Sequence, residues 1–105
     1  TGIVKETITV IDETGCICEV PSRENSRVAK APQCYFLNDI LYAHNKAREE
    51  GIHNFIDCCT MMQHYGYKLF TVDGPYENIK ITTPDDYYTM RALLEAKENA
   101  QIYGF

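Results

Sequence analysis

The chain has no tryptophan, only four prolines and only six glycines in 105 residues. That poverty in Pro and Gly excludes collagen-like and low-complexity architectures. No apolar run approaches the ~20 residues that span a bilayer as a helix, so a membrane segment is not expected. Positive charge is not in excess: ten Lys and Arg face fifteen Asp and Glu, for a formal net charge of -5. A nucleic-acid backbone has no basic field here to attract it. Neither glycine-rich phosphate-loop pattern is present. The first residues, Thr1-Gly2-Ile3-Val4-Lys5, carry no initiator Met and no signal-peptide character. They read as the start of a processed, trimmed or truncated cytoplasmic chain.

Cysteine is present but not in a ligand pattern. Cys16, Cys18, Cys34, Cys58 and Cys59 are odd in number and spaced C-x-C and C-C. Zinc sites favour paired C-x-x-C ligands, and adjacent cysteines rarely satisfy disulfide geometry. Reduced, partly buried thiols of a cytosolic protein are expected. His44, His53 and His64 have no metal-ligand spacing either.

What the chain does contain is 45% hydrophobic and 24% charged residues, the balance of a soluble globular protein. Val4 to Ile11 is β-branched and alternating, which predicts a strand. Asp12-Glu13-Thr14-Gly15 predicts a turn and Cys16 to Val20 a returning strand, together a hairpin. Pro21 to Arg27 reads as a polar loop. Asn38 or Asp39 can cap a helix whose stripe is Ile40, Leu41, His44, Ala47 and Arg48, ending at Gly51. Asp57 caps a second helix carrying Met61 and Met62 as core filler, with Gly66 as its stop. Tyr67 to Val72 and Ile79 to Ile81 predict strands, and Pro84 opens a last helix to about Lys97. The tail from Ala100 to Phe105 is weakly determined. Tyr65, Tyr67, Tyr76, Tyr87 and Tyr88 are expected to be half-buried.

This order predicts an α/β fold in one partial domain, residues 1–105. Residues 1–30 form a strand and hairpin arm, and residues 31–105 a helix-helix-strand-strand-helix portion. The first strand begins almost at residue 1, as though this were the back half of a larger sheet.

The densest local signal is Asn78-Ile79-Lys80-Ile81-Thr82-Thr83-Pro84-Asp85-Asp86. Alternation puts Ile79 and Ile81 on one face and the Lys80 ammonium on the other. Thr83 is an N-cap, Pro84 the first helical residue and Asp86 the acidic partner of a capping box. A cation beside a helix N-terminus is a place to hold an anion such as phosphate. Thr82 and Thr83 can donate to it or serve only as caps. Lys80 on spacing alone also fits a solvated surface charge. Arg23 and Arg27 can act as a mobile cationic clamp or simply keep the loop soluble.

With these residues in place, the chain resembles the C-terminal half of the cytidylyltransferases that act on sugar-alcohol phosphates. Those include the 2-C-methyl-D-erythritol 4-phosphate and ribitol 5-phosphate enzymes. The strongest element, Glu77 to Asp86, is close to the family's E/D-N-I-K-[VI]-T-x-P-[ED]-D. Pro32-Gln33 followed by Phe36 is similar to its T-P-Q-x-F segment. Lys5-Glu6-Thr7 resembles its K/R-D-T strand, and Gly51 to Asp57 its turn leading to T-D. The resemblance implies a Rossmann-like nucleotide-diphospho-sugar transferase fold with a β-hairpin dimerisation arm. It implies CMP transfer from CTP to a polyol phosphate, giving a CDP-polyol and pyrophosphate; the erythritol branch serves isoprenoid biosynthesis. Lys80 and Arg23 would be catalytic, Arg23 reaching into a partner subunit's site. Thr7, Asp57 and Thr82 would bind substrate, and Mg2+ would accompany CTP on ligands upstream of this chain. Ala31 and Ile56 stand where the family has Thr, which removes two hydroxyl donors and leaves the polyol open. The family's CTP-binding loop has no counterpart here, so this polypeptide alone is expected to be inactive. The alternative is a non-catalytic dimerisation or phosphate-binding module of the same descent.

Overall fold

A computed structural model describes residues 1–104. They gather into two compact units. One joins Thr1–Lys30 with the chain from Asp73 onward, and the other is Ala31–Val72.

The second unit is built on two helices, α1 (Leu37–Glu49) and α2 (Cys58–His64). Phe36 stands at the α1 N-cap and supplies no side-chain acceptor. The predicted caps, Asn38 and Asp39, lie inside the first turn instead, where Asp39 complements the positive helix end. Lys46 and Arg48 do the same at the other end. Gly51 turns the chain away with φ +70, a left-handed conformation glycine adopts without penalty. α2 begins as the sequence predicts: Asp57 accepts the Thr60 N–H at 2.8 Å. His64 sits in its last turn, the favourable end for a cation.

These helices enclose the core. Ala43 and Ala47 of α1 meet Met61 and Met62 of α2, and all four are buried, Met62 to 2% exposure. Each buried methionine contributes about 1.5–3 kcal/mol of hydrophobic stabilisation. Tyr35, Ile40, Phe55, Tyr65 and Tyr67 pack around them. The expected stripe is therefore corrected by one position. Ile40, Ala43 and Ala47 face inward, while Leu41, His44 and Arg48 are exposed. Two small alanines on α1 leave room for the bulkier methionines of α2 to pack against them.

The first unit carries four short strands: β1 (Gly2–Ile3), β2 (Val10–Ile11), β3 (Ile17–Glu19) and β4 (Arg27–Val28). β2 and β3 form the predicted antiparallel hairpin, with Val10 opposite Glu19 and an irregularity between Val10 and Ile11. Its turn is organised by Asp12, whose Oδ1 accepts from Thr14 N, Thr14 Oγ1 and Cys16 N at 2.8, 2.6 and 3.0 Å. β1 pairs antiparallel with β4, Gly2 opposite Val28. Two expectations fail here. Val4 to Ile11 is not one strand, since only its last two residues, Val10 and Ile11, find a partner strand, and Arg27, expected in the loop, begins β4.

The predicted strands Tyr67–Val72 and Ile79–Ile81 are also absent. A strand is a property of a pair, and among the described residues no second strand lies beside either segment to share a ladder. Phe70 and Val72 are 85% and 81% exposed. Cys16, Cys18 and Cys34 are exposed rather than partly buried, Cys58 and Cys59 are half-buried, and all are free thiols. Tyr65 and Tyr67 are half-buried as expected, but Tyr76, Tyr87 and Tyr88 are exposed.

α3 (Pro84–Tyr103) is longer than predicted, passing Lys97 and ending at Gly104 with φ +76. None of its residues is buried. Its start is the capping box read from sequence. Asp86 Oδ2 accepts from Thr82 N, Thr82 Oγ1 and Thr83 N at 3.0, 2.9 and 2.9 Å. Asp86 N donates back to Thr83 Oγ1 at 3.4 Å. These donors, the Thr82 N–H first, pull the Asp86 carboxyl down from 3.8 to about 2. The carboxylate therefore stabilises the fold above its unfolded value of 3.8, and that contribution is lost as pH falls toward about 2. Asp86→Asn is expected to destabilise the protein at pH near 6, with the gap to wild type narrowing as pH falls through this window. Urea unfolding followed by circular dichroism checks it, and a gap that is constant with pH would contradict it.

Candidate active site

The first unit holds Lys80, Arg23, Thr7 and Thr82. Lys80 lies on the extended segment that leads into α3, and it is exposed. Ile79 beside it is half-buried, whereas Ile81 is 53% exposed, so only the first isoleucine anchors the segment. Among the described residues, no hydrogen bond or ion pair claims the Lys80 ammonium. Two residues on, the chain is pinned: Thr82 gives both its N–H and its hydroxyl proton to Asp86. A free cation therefore stands next to a fixed backbone.

The same clamp changes the reading of the α3 N-terminus. The N–H groups of Thr82 and Thr83 are satisfied by the Asp86 carboxylate, and that of Asp86 by Thr83. A bound anion would have to displace a carboxylate already in place. What this end offers an anion is the Lys80 charge more than the open helix donors that sequence suggested. The Thr82 hydroxyl is spent as a donor on Asp86, and it retains lone pairs that can accept.

Arg23 sits in a tight turn closed by Asn25 N donating to Ser22 O at 3.2 Å and by Ser26 Oγ donating to Ser22 O at 2.7 Å. The structure brings it to Thr7: Arg23 Nη2 donates to Thr7 Oγ1 at 2.8 Å. That contact joins residues sixteen positions apart. It uses one donor of the guanidinium fork and leaves the rest for an oxyanion. Arg27 is less available, because Nη1 donates to the carbonyls of Glu24 and Ser26, both at 2.8 Å. Lys5 lies over the Tyr76 ring, 4.0 Å from its centroid, a cation–π contact that the sequence did not announce.

Asp57 belongs to the second unit. Its Oδ1 accepts from Thr60 N and Thr60 Oγ1, both at 2.8 Å, and its Oδ2 accepts from Gln33 Nε2 at 3.3 Å. Gln33 is held in turn by Tyr35, whose hydroxyl donates to Oε1 at 2.8 Å. The Thr60 N–H, more than any other donor, holds the Asp57 carboxyl below its ordinary value. Burial raises the Tyr35 phenol, so it keeps its proton through the neutral range. Beside Asp57 opens a cleft of about 500 Å³, lined among others by His44, Arg48, His53, Phe55 and Cys58. Gln33, Tyr35 and Thr60 were missed as site residues. The Pro32-Gln33 motif was the one sequence sign of the first of them.

Among the described residues, no three His, Cys, Asp or Glu side chains gather as a metal would need. Asp86 is committed to its cap and Asp57 to Thr60 and Gln33. These side chains do not compose a magnesium site.

Residues 2–96 match the family model described as IspD, 2-C-methyl-D-erythritol 4-phosphate cytidylyltransferase. A ribitol-5-phosphate cytidylyltransferase of Streptococcus agalactiae serotype III is 50% identical over 100 residues, covering 95% of this chain and 42% of that protein. One from Vibrio parahaemolyticus is 42% identical over 99 residues. A 2-C-methyl-D-erythritol 4-phosphate cytidylyltransferase of Desulforamulus reducens is 36% identical over 94 residues, covering 40% of its length. Among solved structures, the 2-C-methyl-D-erythritol 4-phosphate cytidylyltransferase of Thermus thermophilus superposes with TM-score 0.69 at 31% identity, covering 87% of this chain and 44% of that one. The 4-diphosphocytidyl-2C-methyl-D-erythritol synthase of Anaerococcus prevotii gives 0.78 at 25% identity, covering 90% and 43%. The chain thus spans less than half the length of these relatives. It belongs to the IspD family of cytidylyltransferases.

Proposed function

We propose that this chain supplies the acceptor-side residues of a cytidylyltransferase that transfers CMP from CTP to a sugar-alcohol phosphate. The products are a CDP-polyol and pyrophosphate. The observation that carries the proposal is the unpartnered Lys80 ammonium, fixed next to the Thr82–Asp86 clamp inside the family match.

Chemically, an oxygen of the acceptor's phosphate attacks the α-phosphorus of CTP, and the bond to pyrophosphate breaks. Such transfer depends on positioning and charge neutralisation more than on covalent help. Lys80 is placed to offset the negative charge that accumulates as two phosphates approach. Arg23, steadied by Thr7, has donors left to grip the acceptor phosphate in bidentate fashion. By its place in the family match, Asp57 is a further acceptor-binding residue of this reading. Within this reading the fold is the C-terminal half of a Rossmann-like nucleotide-diphospho-sugar transferase. The nucleotide loop, and any Mg2+ carried with CTP, belong to the length that relatives have and this chain does not. The acceptor is a pentitol phosphate by preference, because relatives at 50% and 42% identity are named for ribitol 5-phosphate and the erythritol enzymes stand at 36%.

A homodimer through the hairpin arm is part of the same proposal. Val10, Ile11, Ile17 and Val20 on and beside β2 and β3 are 39%, 59%, 59% and 57% exposed, an apolar rib suited to a second copy. Arg23 follows this arm directly and would then reach the partner's acceptor.

In the full-length gene product, Lys80→Ala is expected to lower pyrophosphate release from CTP and ribitol 5-phosphate by about 10²–10³-fold while leaving the unfolding curve near wild type. An unchanged rate would remove Lys80 from the mechanism. Mixing inactive Arg23→Ala with inactive Lys80→Ala subunits should restore measurable turnover, since mixed dimers contain one intact shared site. No restoration in verified mixed dimers would contradict sharing.

A further inference from the structure

Residues 73–83 form neither helix nor strand, yet they carry Lys80. Point contacts set their course. Gly74 N donates to Thr1 O at 2.8 Å, which ties the start of the segment to the N-terminal stretch. Pro75 O then accepts from Asn78 N at 3.2 Å, and Glu77 O from Ile79 N at 2.9 Å. Two tight turns thus follow each other and end beside Lys80. Downstream, Thr82 is gripped by Asp86.

Tyr76 is a central residue of the first turn, and its ring carries the Lys5 ammonium 4.0 Å from its centroid. Neither partner is buried by the other: Lys5 is exposed, and Tyr76 is 54% exposed. A mobile surface lysine keeps its rotamer freedom and a full water shell, and here both are curtailed. The base of this lysine is fixed as well, because Val4 next to it is buried. Two residues beyond Lys5, Thr7 accepts from Arg23. The cation–π contact therefore joins the stretch that steadies Arg23 to the stretch that delivers Lys80. Both lie in the same compact unit.

We propose that Lys5 and Tyr76 are a positioning pair for the transfer reaction. Their contact straps the Lys80 segment to the N-terminal stretch and so sets where the Lys80 ammonium meets the phosphates. Tyr76 precedes Lys80 by four residues, and the turns between them leave little slack. With the Asp86 clamp on the other side, the backbone under Lys80 is held from both directions. Phosphoryl transfer relies on placement of charge, so a small shift of that backbone is felt in the rate. The ring face makes the contact, and the Tyr76 hydroxyl has no part in it. In this role neither residue touches substrate; both act through Lys80. The inference rests on the proposed cytidylyltransferase reading and adds what aims its lysine.

The test measures pyrophosphate release from CTP and ribitol 5-phosphate by the full-length gene product. Lys5→Met and Tyr76→Leu should each lower kcat about tenfold, the scale of a misplaced catalytic group, with KM for CTP and the unfolding midpoint unmoved. Tyr76→Phe keeps the ring and Lys5→Arg keeps a cation able to sit on it, so both should turn over like wild type. Added to Lys80→Ala, Tyr76→Leu should cost the residual rate nothing further, because the group it aims is gone. A slowed Tyr76→Phe enzyme would overturn the strap. So would a Lys5→Met loss that Tyr76→Leu does not share, a rate that falls only in step with the unfolding midpoint, or a Tyr76→Leu loss that persists undiminished without Lys80. A wild-type protein that releases no pyrophosphate would overturn the functional reading and this inference with it. Wild-type turnover matched by Lys5→Met and Tyr76→Leu would overturn the inference alone.

Discussion

One carboxylate decides how the chain meets its candidate chemistry. Asp86 reaches back across the start of α3 and gathers the N–H groups of Thr82 and Thr83 and the Thr82 hydroxyl. The residues it fixes are the ones that follow Lys80. A lysine side chain is long and gains little precision from its own rotamers, so its useful placement depends on where the backbone beneath it is held. The clamp also occupies the N–H groups of Thr82, Thr83 and Asp86, which leaves the ammonium as the main feature an incoming anion would meet. Order in the backbone and freedom in the side chain are here two consequences of the same set of bonds.

The two units differ in what holds them together. Around α1 and α2, apolar side chains close on each other: two alanines and two methionines, with a ring of partly buried aromatics. In the other unit, polar turns carry most of the local order. Asp12 organises the hairpin turn, Ser22 and Ser26 shape the loop of Arg23, and Asp86 the start of α3, while α3 buries none of its residues. Apolar residues on this unit, such as Ile3 and Ile102 at 65% and 72% exposure, find no cover among the described residues.

Legibility of the sequence followed the range of the interaction. Caps and turns were readable because their partners sit within four positions: Asp57 with Thr60, Thr83 with Asp86, Asp12 with Thr14, Gly51 and Gly66 as helix stops. The α1 stripe was off by one because Ile40 is followed by inward-capable residues at both i+3 and i+4, and the size of the facing methionines made the choice. The segments Tyr67–Val72 and Ile79–Ile81 carried correct β alternation and still formed no strand, since alternation prepares a segment for pairing and cannot supply the partner. For the candidate site, Lys80, Arg23, Thr7, Thr82 and Asp57 were proposed from motif resemblance alone. The Arg23–Thr7 bond, the Gln33–Asp57 bond and the Lys5–Tyr76 contact were not, because each joins residues sixteen or more positions apart.

The central claim is that the Asp86 clamp matters to catalysis through Lys80. A double-mutant cycle on the full-length gene product measures this directly, with the rate of pyrophosphate release for wild type, Asp86→Ala, Lys80→Ala and the double variant. The account predicts that Asp86→Ala slows wild type by about tenfold or more and adds little once Lys80 is gone, because a positioning group has nothing left to position. Strictly additive losses in folded variants would contradict it, since Asp86 and Lys80 would then act independently.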